Sequence, residues 1–507
     1  MSGRGWKRLG AAAYLFLCSS PIAGILHDLG NPELVLPNSR RLGLLFNSAV
    51  LGLTVAALCM VLGFFAAVGI TCSRLRRHPL RWWFLLLAPV PQYIYALSWM
   101  ELPRLLGGIW PALLRLQVYG LGPCAAVETM AFLPMCVGLA LVGLERQNAV
   151  LLEAGLVCKS SSAALYRICL PQLLPWLLSG AGCVFVLSVT DFSIPSLFQY
   201  NVYAMELFSD FSAYGKAVNS LWLALPLILL ALAVVGLAQG SLRQILAPVP
   251  SHSRAVLRLS GINKGICWAA IAVCAFQTAV PLISLIVGLG SFTELAESVR
   301  LSWRELWISC QIGLIAAAIS LPPSCGAAAI LSNPSRRGLW QMIFLLPLAI
   351  PGALVGVGWL TLLNGSPLQA VTKSVLLPAL GCAGRFMPFC VLILIGTFLR
   401  LDIHRLQTAQ LLQGHSGKAF YQVLLPMCFP GLLAGGLLIF LLSLGDVGVT
   451  LMLAPPGMEP FSIKVYNYLH YGASEMVSGF CLLMVLICTL TMALVLWILH
   501  GGRSRHA

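Results

Sequence analysis

The stretch GLLFNSAVLGLTVAALCMVLGFFAAVGIT, from residue 43 to residue 71, contains no Asp, Glu, Lys or Arg. A helix of about 20 apolar residues is long enough to cross the hydrocarbon core of a bilayer, so this stretch predicts a transmembrane span. The rest of the chain has the same character, because 59% of its 507 residues are hydrophobic and only 9% are charged. Soluble domains carry roughly a quarter charged residues. The composition therefore predicts an integral membrane protein.

Apolar stretches of this kind recur along the chain and predict an all-α membrane protein with about twelve transmembrane helices. The spans are expected at residues 10–26, 43–71, 83–101, 122–144, 172–192, 219–239, 265–289, 305–331, 340–363, 375–399, 427–452 and 474–499. Most Lys and Arg residues fall in alternate segments between these spans, and the positive-inside rule makes those segments and both termini cytoplasmic. The formal charge of +15 is then explained by a basic cytoplasmic face beside anionic lipid, without a nucleic acid partner.

Landmarks of the first half of the chain return in the same order in the second half. The pairs are Arg76-Arg77 and Arg336-Arg337, Pro91 with Trp99 and Pro351 with Trp359, Phe132-x-Pro134-x-Cys136 and Phe386-x-Pro388-x-Cys390, Asp191 and Asp446, and Tyr214-Gly215 and Tyr471-Gly472. This order predicts two repeats, at residues 1–245 and 246–507, with six spans each. Because six is an even number, the two six-helix repeats are expected to be parallel, with a pathway at their interface.

Two polar loops between spans, at residues 145–171 and 400–426, also repeat one pattern. The first contains EAGLVCKSSSAALYRICLP from Glu153 to Pro171, and the second contains TAQLLQGHSGKAFYQVLLP from Thr408 to Pro426. Lipid does not select for Ala, Ser, Gly and Lys in such loops. A short helix parallel to the membrane could be gripped by a soluble partner, with small residues allowing close approach and an acid pairing with a basic group. We therefore predict that a soluble partner outside the bilayer binds the two loops.

The loops resemble the cytoplasmic E-A-A signature of binding-protein-dependent ABC importer permeases. In the first loop Glu153-Ala154 and Ile168-Cys169-Leu170-Pro171 match the signature, and in the second loop Ala409, Gly414 and Val423-Leu424-Leu425-Pro426 match it. The sequence departs from the signature at Gly155, where a second Ala is usual, at Lys159, where a Gly is usual, and at Thr408, where an acid is usual. The resemblance extends over nearly the whole chain, as a fused pair of permease halves similar to those of ferric-iron and thiamine importers.

This resemblance implies two partners, a cytoplasmic ABC ATPase dimer and an extracytoplasmic substrate-binding protein, together with ferric iron as the substrate. Thiamine or another small solute stays open as an alternative. The residues expected to couple the permease to the ATPase are Glu153, Ala154, Gly155, Leu170, Pro171, Thr408, Ala409, Gly414, Leu425 and Pro426. Gly414-His415-Ser416-Gly417-Lys418 is too short for a phosphate-binding loop, so hydrolysis is expected on a separate subunit and the chain is not expected to be an enzyme.

Four residues are predicted to belong to the translocation pathway. Asp191 and Asp446 lie at equivalent points near the ends of two spans, and charges inside a membrane usually face a cavity or a partner. Capping of a helix end is the alternative role for both. Pro91 and Pro351 should bend the third and ninth spans, which suits a curved pore wall but is also common in passive helix packing.

Two other functional classes fit parts of the pattern. A secondary transporter would also be built from two parallel six-span halves, but it would need a charged network inside the spans. A membrane scaffold protein would leave the paired loops unexplained. The 17 Cys residues fall mostly within spans with no Cys-x-x-Cys pair, and the eight His residues are scattered, so neither a metal site nor a cofactor is expected.

Overall fold

The computed structural model describes residues 5–27, 38–107, 119–214, 217–245, 259, 261–333, 337–399, 422, 425–471 and 474–504. These residues form helices and connecting turns, without a β-strand. The helices up to residue 245 are α1 (Gly5–His27), α2 (Ser39–Cys72), α3 (Gln92–Gly107), α4 (Leu121–Glu145), α5 (Ala149–Cys158), α6 (Ser161–Ala164), α7 (Leu170–Thr190), α8 (Ser193–Leu197), α9 (Tyr203–Tyr214) and α10 (Ala217–Ile245). Those of the second half are α11 (Gly261–Gly288), α12 (Phe292–Leu331), α13 (Arg337–Leu345), α14 (Gly352–Leu363), α15 (Leu376–Phe398), α16 (Leu425–Gly445), α17 (Thr450–Leu453), α18 (Phe461–Tyr471) and α19 (Ser474–Ser504).

Among the described residues, 10 helices are long and apolar enough to cross a membrane, or up to 11 if one bent pair counts as a span. This confirms the prediction of an all-α integral membrane protein with about twelve spans. The bent pair is the predicted ninth span, whose two parts Trp340–Ala349 and Gly352–Leu363 meet at 94°. The predicted third span is broken as well, because the 3-10 turn Pro79–Leu85 is separated from α3 by the segment 86–91.

Proline explains where the two spans break. Pro91 directly precedes α3, and Pro351 directly precedes α14. A proline has no N–H to continue the helix before it, but its fixed φ angle suits the position at which a new helix begins. The prediction of bends at these residues is therefore correct in position, although the structure has full breaks there.

Each half of the chain is built around three long helices in mutual contact. These are α2, α4 and α7 in the first half and α12, α15 and α16 in the second half. Small residues allow the close packing, since a Cβ added to Gly180 would lie 3.2 Å from Cys136 Sγ, and one added to Gly435 would lie 2.7 Å from Cys390 Sγ. Membrane helices commonly associate through such small residues.

The first helix of each half packs against the other half. Helix α1 contacts α12, α14 and α15 of the second half, while α11 contacts α2 and α3 of the first half as well as α19 of its own half. At the α1–α12 crossing, a Cβ on Gly10 would lie 2.9 Å from Gly326 Cα, so the two backbones touch. The Tyr14 hydroxyl also donates to the Phe344 carbonyl at 2.6 Å. The two halves of the chain therefore exchange their leading helices.

Candidate functional site

A cavity of about 380 Å³ lies where the two halves meet. Its walls come from both broken spans, from α4 and α15, and from the segments that follow α7 and α16. Residues that line it include Pro91, Tyr93, Phe132, Asp191, Pro351, Arg385, Phe386, Phe389 and Asp446. All four residues predicted for the pathway, Asp191, Asp446, Pro91 and Pro351, thus line one cavity.

The two halves touch closely beside this cavity. A Cβ on Gly445 would lie 2.6 Å from Pro91 Cγ, so the glycine leaves room for the proline of the other half. A Cβ on Gly352 would lie 2.0 Å from Arg385 Nη1, and one on Gly448 would lie 3.0 Å from the same atom. The guanidinium group therefore lies in a slot that exists because these two residues have no side chain.

Asp446 holds both this arginine and the turn that follows α16. Arg385 Nη1 donates to Asp446 Oδ1 at 2.9 Å. Asp446 Oδ2 accepts from the backbone N–H of Val449 at 2.8 Å and from that of Thr450 at 3.2 Å. The carboxylate thus caps α17 and forms a largely buried ion pair, since the Asp446 side chain is 5% exposed. Such charge-assisted hydrogen bonds are stronger than neutral ones.

Asp191 caps the equivalent turn after α7 but has no ion pair with a described residue. Its Oδ1 accepts from the Ser193 hydroxyl at 2.8 Å and from the Ser193 N–H at 3.2 Å, and its Oδ2 accepts from the Ile194 N–H at 3.2 Å. Ala131, which precedes Phe132 as Arg385 precedes Phe386, occupies the place of the arginine. Both Asp residues therefore cap helix ends and also line the cavity.

One further acid is buried behind the first half of the cavity wall. Glu128 is fully buried, and Ser188 donates a short hydrogen bond to its Oε2. Its Oε1 has no partner among the described residues. The equivalent pair in the second half is Cys382 and Ser443, which carries no charge. Among the described residues near the cavity, the first half of the chain thus has two acids, whereas the second half has one acid and one base.

The first polar loop forms a compact structure of three short segments. Helix α5 is followed by α6 and by a π-helical turn, Leu165–Cys169, that leads into α7. Pro171 is the second residue of α7 and cannot donate a hydrogen bond to the preceding turn, which accounts for the wider turn there. The side chain of Asn148 caps α5 by accepting from the N–H of Val150 at 3.1 Å.

Hydrogen bonds hold the start of this loop to the loop's last turn and to the first turn of α7. Gln147 Nε2 donates to the Cys169 carbonyl at 2.9 Å, and the Asn148 N–H donates to Gln172 Oε1 at 3.1 Å. Burial lowers the pKa of the Arg146 guanidinium, and the neighbouring Glu145 opposes that shift. The Arg146 guanidinium carbon also lies 5.5 Å from the centre of the Trp176 ring. The loop is therefore fixed to the span that it precedes.

Helix α5 presents an apolar stripe that no described residue covers. Val157 is 88% exposed, Val150 is 57% exposed and Leu151 is 52% exposed. Glu153 and Ala154 are exposed on the same helix. Positions 150, 154 and 157 follow the i, i+4, i+7 spacing of one helix face. We call residues 150, 151, 154 and 157 the α5 stripe.

The predicted coupling residues are only partly described. Leu170 and Pro171 begin α7, and Leu425 and Pro426 begin α16 in the same way. Thr408, Ala409 and Gly414 lie outside the described residues, as does most of the segment 400–426.

Gly155 is close to Ile168, because an added Cβ would lie 2.0 Å from Ile168 Cδ1. This contact gives a physical reason for glycine where the signature has alanine.

Sequence reasoning did not assign a site role to several cavity residues. Phe132 and Phe386 were visible as a repeated motif, and Arg385 as an ionisable residue inside a span, so both signals were present in the sequence. Asn263, which contacts the first loop, gave no signal, because a single Asn near the start of a span follows no pattern.

No protein-family model matches the chain. A search of curated proteins finds a protein of Salmonella typhimurium named as a 2-aminoethylphosphonate transport system permease, PhnV, which is 28% identical over 198 residues, covering 37% of this chain and 70% of the relative. The molybdenum transport system permease protein ModB of Haemophilus influenzae is 28% identical over 102 residues, covering 19% of this chain and 44% of that protein. The spermidine/putrescine transport system permease protein PotC of Escherichia coli K12 is 26% identical over 101 residues, covering 20% of this chain and 38% of that protein. The homologues of this chain are thus permeases of transport systems, in agreement with the ABC importer family that its polar loops resemble.

Proposed function

We propose that this chain is the permease subunit of a binding-protein-dependent ABC importer of a bacterial inner membrane, with both permease repeats, residues 1–245 and 246–507, fused in one polypeptide. The observation that carries the proposal is the cavity between the halves, which is lined by the equivalent residues Asp191 and Asp446 and by the equivalent residues Pro91 and Pro351. Homology to transport permeases supports a role in transport. Both termini and both polar loops would face the cytoplasm.

The α5 stripe supports docking of a separate ATPase. A polar loop between two spans has no lipid to cover Val157 or Leu151, and exposed apolar residues in such a place commonly mark a protein interface. Glu153 lies on the same helix and could pair with a basic residue of the ATPase. Movement of the docked loop would be passed directly to α7, because hydrogen bonds fix the loop to its first turns.

We expect the cavity to form part of the translocation route. Charged residues in a membrane are costly and are found facing a cavity or a partner. Asp191 and Asp446 satisfy this rule, because both line the cavity while their carboxylates cap the following helices. The breaks at Pro91 and Pro351 place irregular backbone at membrane depth, which is tolerated where it lines a cavity.

The substrate is proposed at two levels. Import of a small solute delivered by an extracytoplasmic binding protein follows from the proposed family. Ferric iron is the candidate from the resemblance of the sequence, with thiamine as the second candidate. The relatives are named for 2-aminoethylphosphonate, molybdenum, and spermidine and putrescine, so they favour no single solute. Affinity measurements on the binding protein with ferric iron and with thiamine test both candidates.

Cysteine labelling in the assembled transporter tests the proposed route. Cysteine at position 191 or 446, in a background without reactive thiols, should react with a polar reagent applied from outside. The reaction should change when ATP and the loaded binding protein trap another state, since alternating access changes exposure at the interface. The proposal would be contradicted if labelling were absent or independent of state at both positions while transport stayed intact in Asp191→Asn and Asp446→Asn. Both residues would then serve only as helix caps, and the cavity would not belong to the route.

A further inference from the structure

The first polar loop contacts the start of α11 through the buried side chain of Asn263. Asn263 is 6% exposed and lies in the first turn of α11. The Tyr166 hydroxyl donates to Asn263 Oδ1 at 2.8 Å, and Asn263 Nδ2 donates to Ser162 Oγ at 2.9 Å. The amide thus uses both its acceptor and its donor on the loop. Loss of either contact would leave a polar group without a partner at a buried position, which is costly.

Helix α11 is continuous from Asn263 to its next buried amide, Gln277. The proline of this helix, Pro281, lies beyond Gln277, so the intervening segment keeps its backbone hydrogen bonds. This segment rises about 21 Å, at 1.5 Å per residue. It is held tightly against α2, because a Cβ on Gly69 would lie 3.1 Å from Cys267 Cβ. Displacement at one end of such a segment is passed to the other end rather than absorbed in a bend.

The far end of this segment contacts the wall of the cavity. Gln277 is fully buried, and its Nε2 donates to the Tyr95 hydroxyl at 2.7 Å. That hydroxyl in turn donates to the Leu87 carbonyl at 3.2 Å. Leu87 lies in the broken third span, where the neighbouring residues Leu85, Ala88, Pro89, Val90 and Pro91 line the cavity. The hydrogen bonds therefore run from α11 into the irregular backbone of the wall.

We propose that α11 links the first polar loop to the cavity, with Asn263 and Gln277 as the positioning residues at its two ends. The proposal rests on the proposed function, because it requires an ATPase to move the loop. Movement of the docked loop would reach the cavity by two routes, directly through α7 and across to the broken third span through α11. Helix α11 belongs to the second half of the chain, so one ATPase contact would act on helices of both halves.

The link can be tested in the assembled transporter, composed of this full chain, its ATPase and its binding protein, by hydrogen–deuterium exchange with and without trapping by ATP and vanadate. Exchange at residues 149–169 reports movement of the loop, and exchange at residues 85–95 reports movement of the wall. The variants are Asn263→Ala, Gln277→Ala and the double variant. The controls are Lys264→Ala, an exposed neighbour of Asn263, and Ser284→Ala, a buried polar residue further along α11.

In the wild type and in both controls, trapping should change exchange at the loop and at the wall. In Asn263→Ala and Gln277→Ala, the change at the loop should remain while the change at the wall is lost. The double variant should resemble either single variant, because two substitutions that interrupt the same link should not have additive effects. A wall response that survives in both single variants, or losses that add in the double variant, would overturn the link. Absence of any response at the wild-type loop would instead overturn the proposed function.

Discussion

At the scale of single residues, the two halves have the same acid at the cavity but give it different neighbours. Asp446 forms an ion pair with Arg385, whereas Asp191 contacts only neutral donors among the described residues. Arg385 fits beside Asp446 because Gly352 and Gly448 leave it space. Removal of one charge from a largely buried pair leaves the other uncompensated, which costs more than losing a helix cap.

This difference predicts unequal effects of the same substitution on stability. Asp446→Asn should destabilise the purified protein by on the order of 3 kcal/mol, because Arg385 loses its counter-charge. Asp191→Asn should cost about 1 kcal/mol, because the amide oxygen still accepts some of the capping hydrogen bonds. Thermal unfolding in detergent measures both changes. Arg385→Met combined with Asp446→Asn should recover stability, and a double variant as unstable as Asp446→Asn would contradict the ion-pair explanation.

Gly155 is a second position at which one close contact explains why the residue is glycine. Alanine there would meet Ile168 Cδ1 at 2.0 Å unless the isoleucine rotates away. We expect Gly155→Ala to weaken the packing of α5 on the π-helical turn by about 1–3 kcal/mol, the usual cost of overpacking. Gly155→Ala with Ile168→Val should be milder, because valine lacks the colliding methyl group. Limited proteolysis of the loop compares the two variants, and equal sensitivity would argue against this contact.

At the scale of the element, α5 offers a surface that its own chain leaves open. Val157→Asp should weaken binding of the ATPase by about 2 kcal/mol, the cost of a typical interface hot spot. The side chain is 88% exposed, so the substitution should not affect folding. Lys159→Ala, an exposed change directly after α5, is the matched control. Pull-down with the ATPase measures both, and undiminished capture by Val157→Asp would exclude the α5 stripe as the docking surface.

The two polar loops should also differ in their contribution to coupling. Glu153 offers a charge to the ATPase and Thr408 does not, so Glu153→Ala should weaken binding and uptake more than Thr408→Ala. A hydrogen bond to a charged group is worth about 1.5–3 kcal/mol, against about 1 kcal/mol for a neutral one. Negligible effects of both substitutions on pull-down and on uptake would count against the assigned role of Glu153.

The elements show what sequence patterns can and cannot predict. Length and hydropathy located ten of the twelve predicted spans as single helices, because lipid imposes apolar length on composition directly. Proline marked where the third and ninth spans are interrupted, but not the 94° angle of the ninth, since a proline interrupts a helix without fixing the direction of the next one. The contacts of Asn263 and the fit between Gly155 and Ile168 were not predictable, because they depend on which segments meet in space.

At the scale of the whole molecule, the exchange of leading helices joins the two halves more firmly than a linker would. Apolar composition predicts that α1 and α11 cross the membrane, but it does not say which helices they contact. Helix α1 packs on α12 and α14, and α11 packs on α2 and α3, so each half supplies part of the other's packing surface. The hydrogen bond from Tyr14 to Phe344 has its donor in one half and its acceptor in the other.

This exchange predicts that neither half is stable without the other. Residues 1–245 expressed alone should be degraded or aggregate, because α1 would expose a surface shaped for α12, with Gly10 facing no partner backbone. Residues 1–245 and 246–507 expressed together should copurify in detergent without any covalent connection. A version of the first half that begins at residue 38 should lose most of this association, because it lacks α1 but keeps its other contacts. Stable, monodisperse residues 1–245 that fail to bind residues 246–507 would show that the contacts of α1 do not hold the halves together.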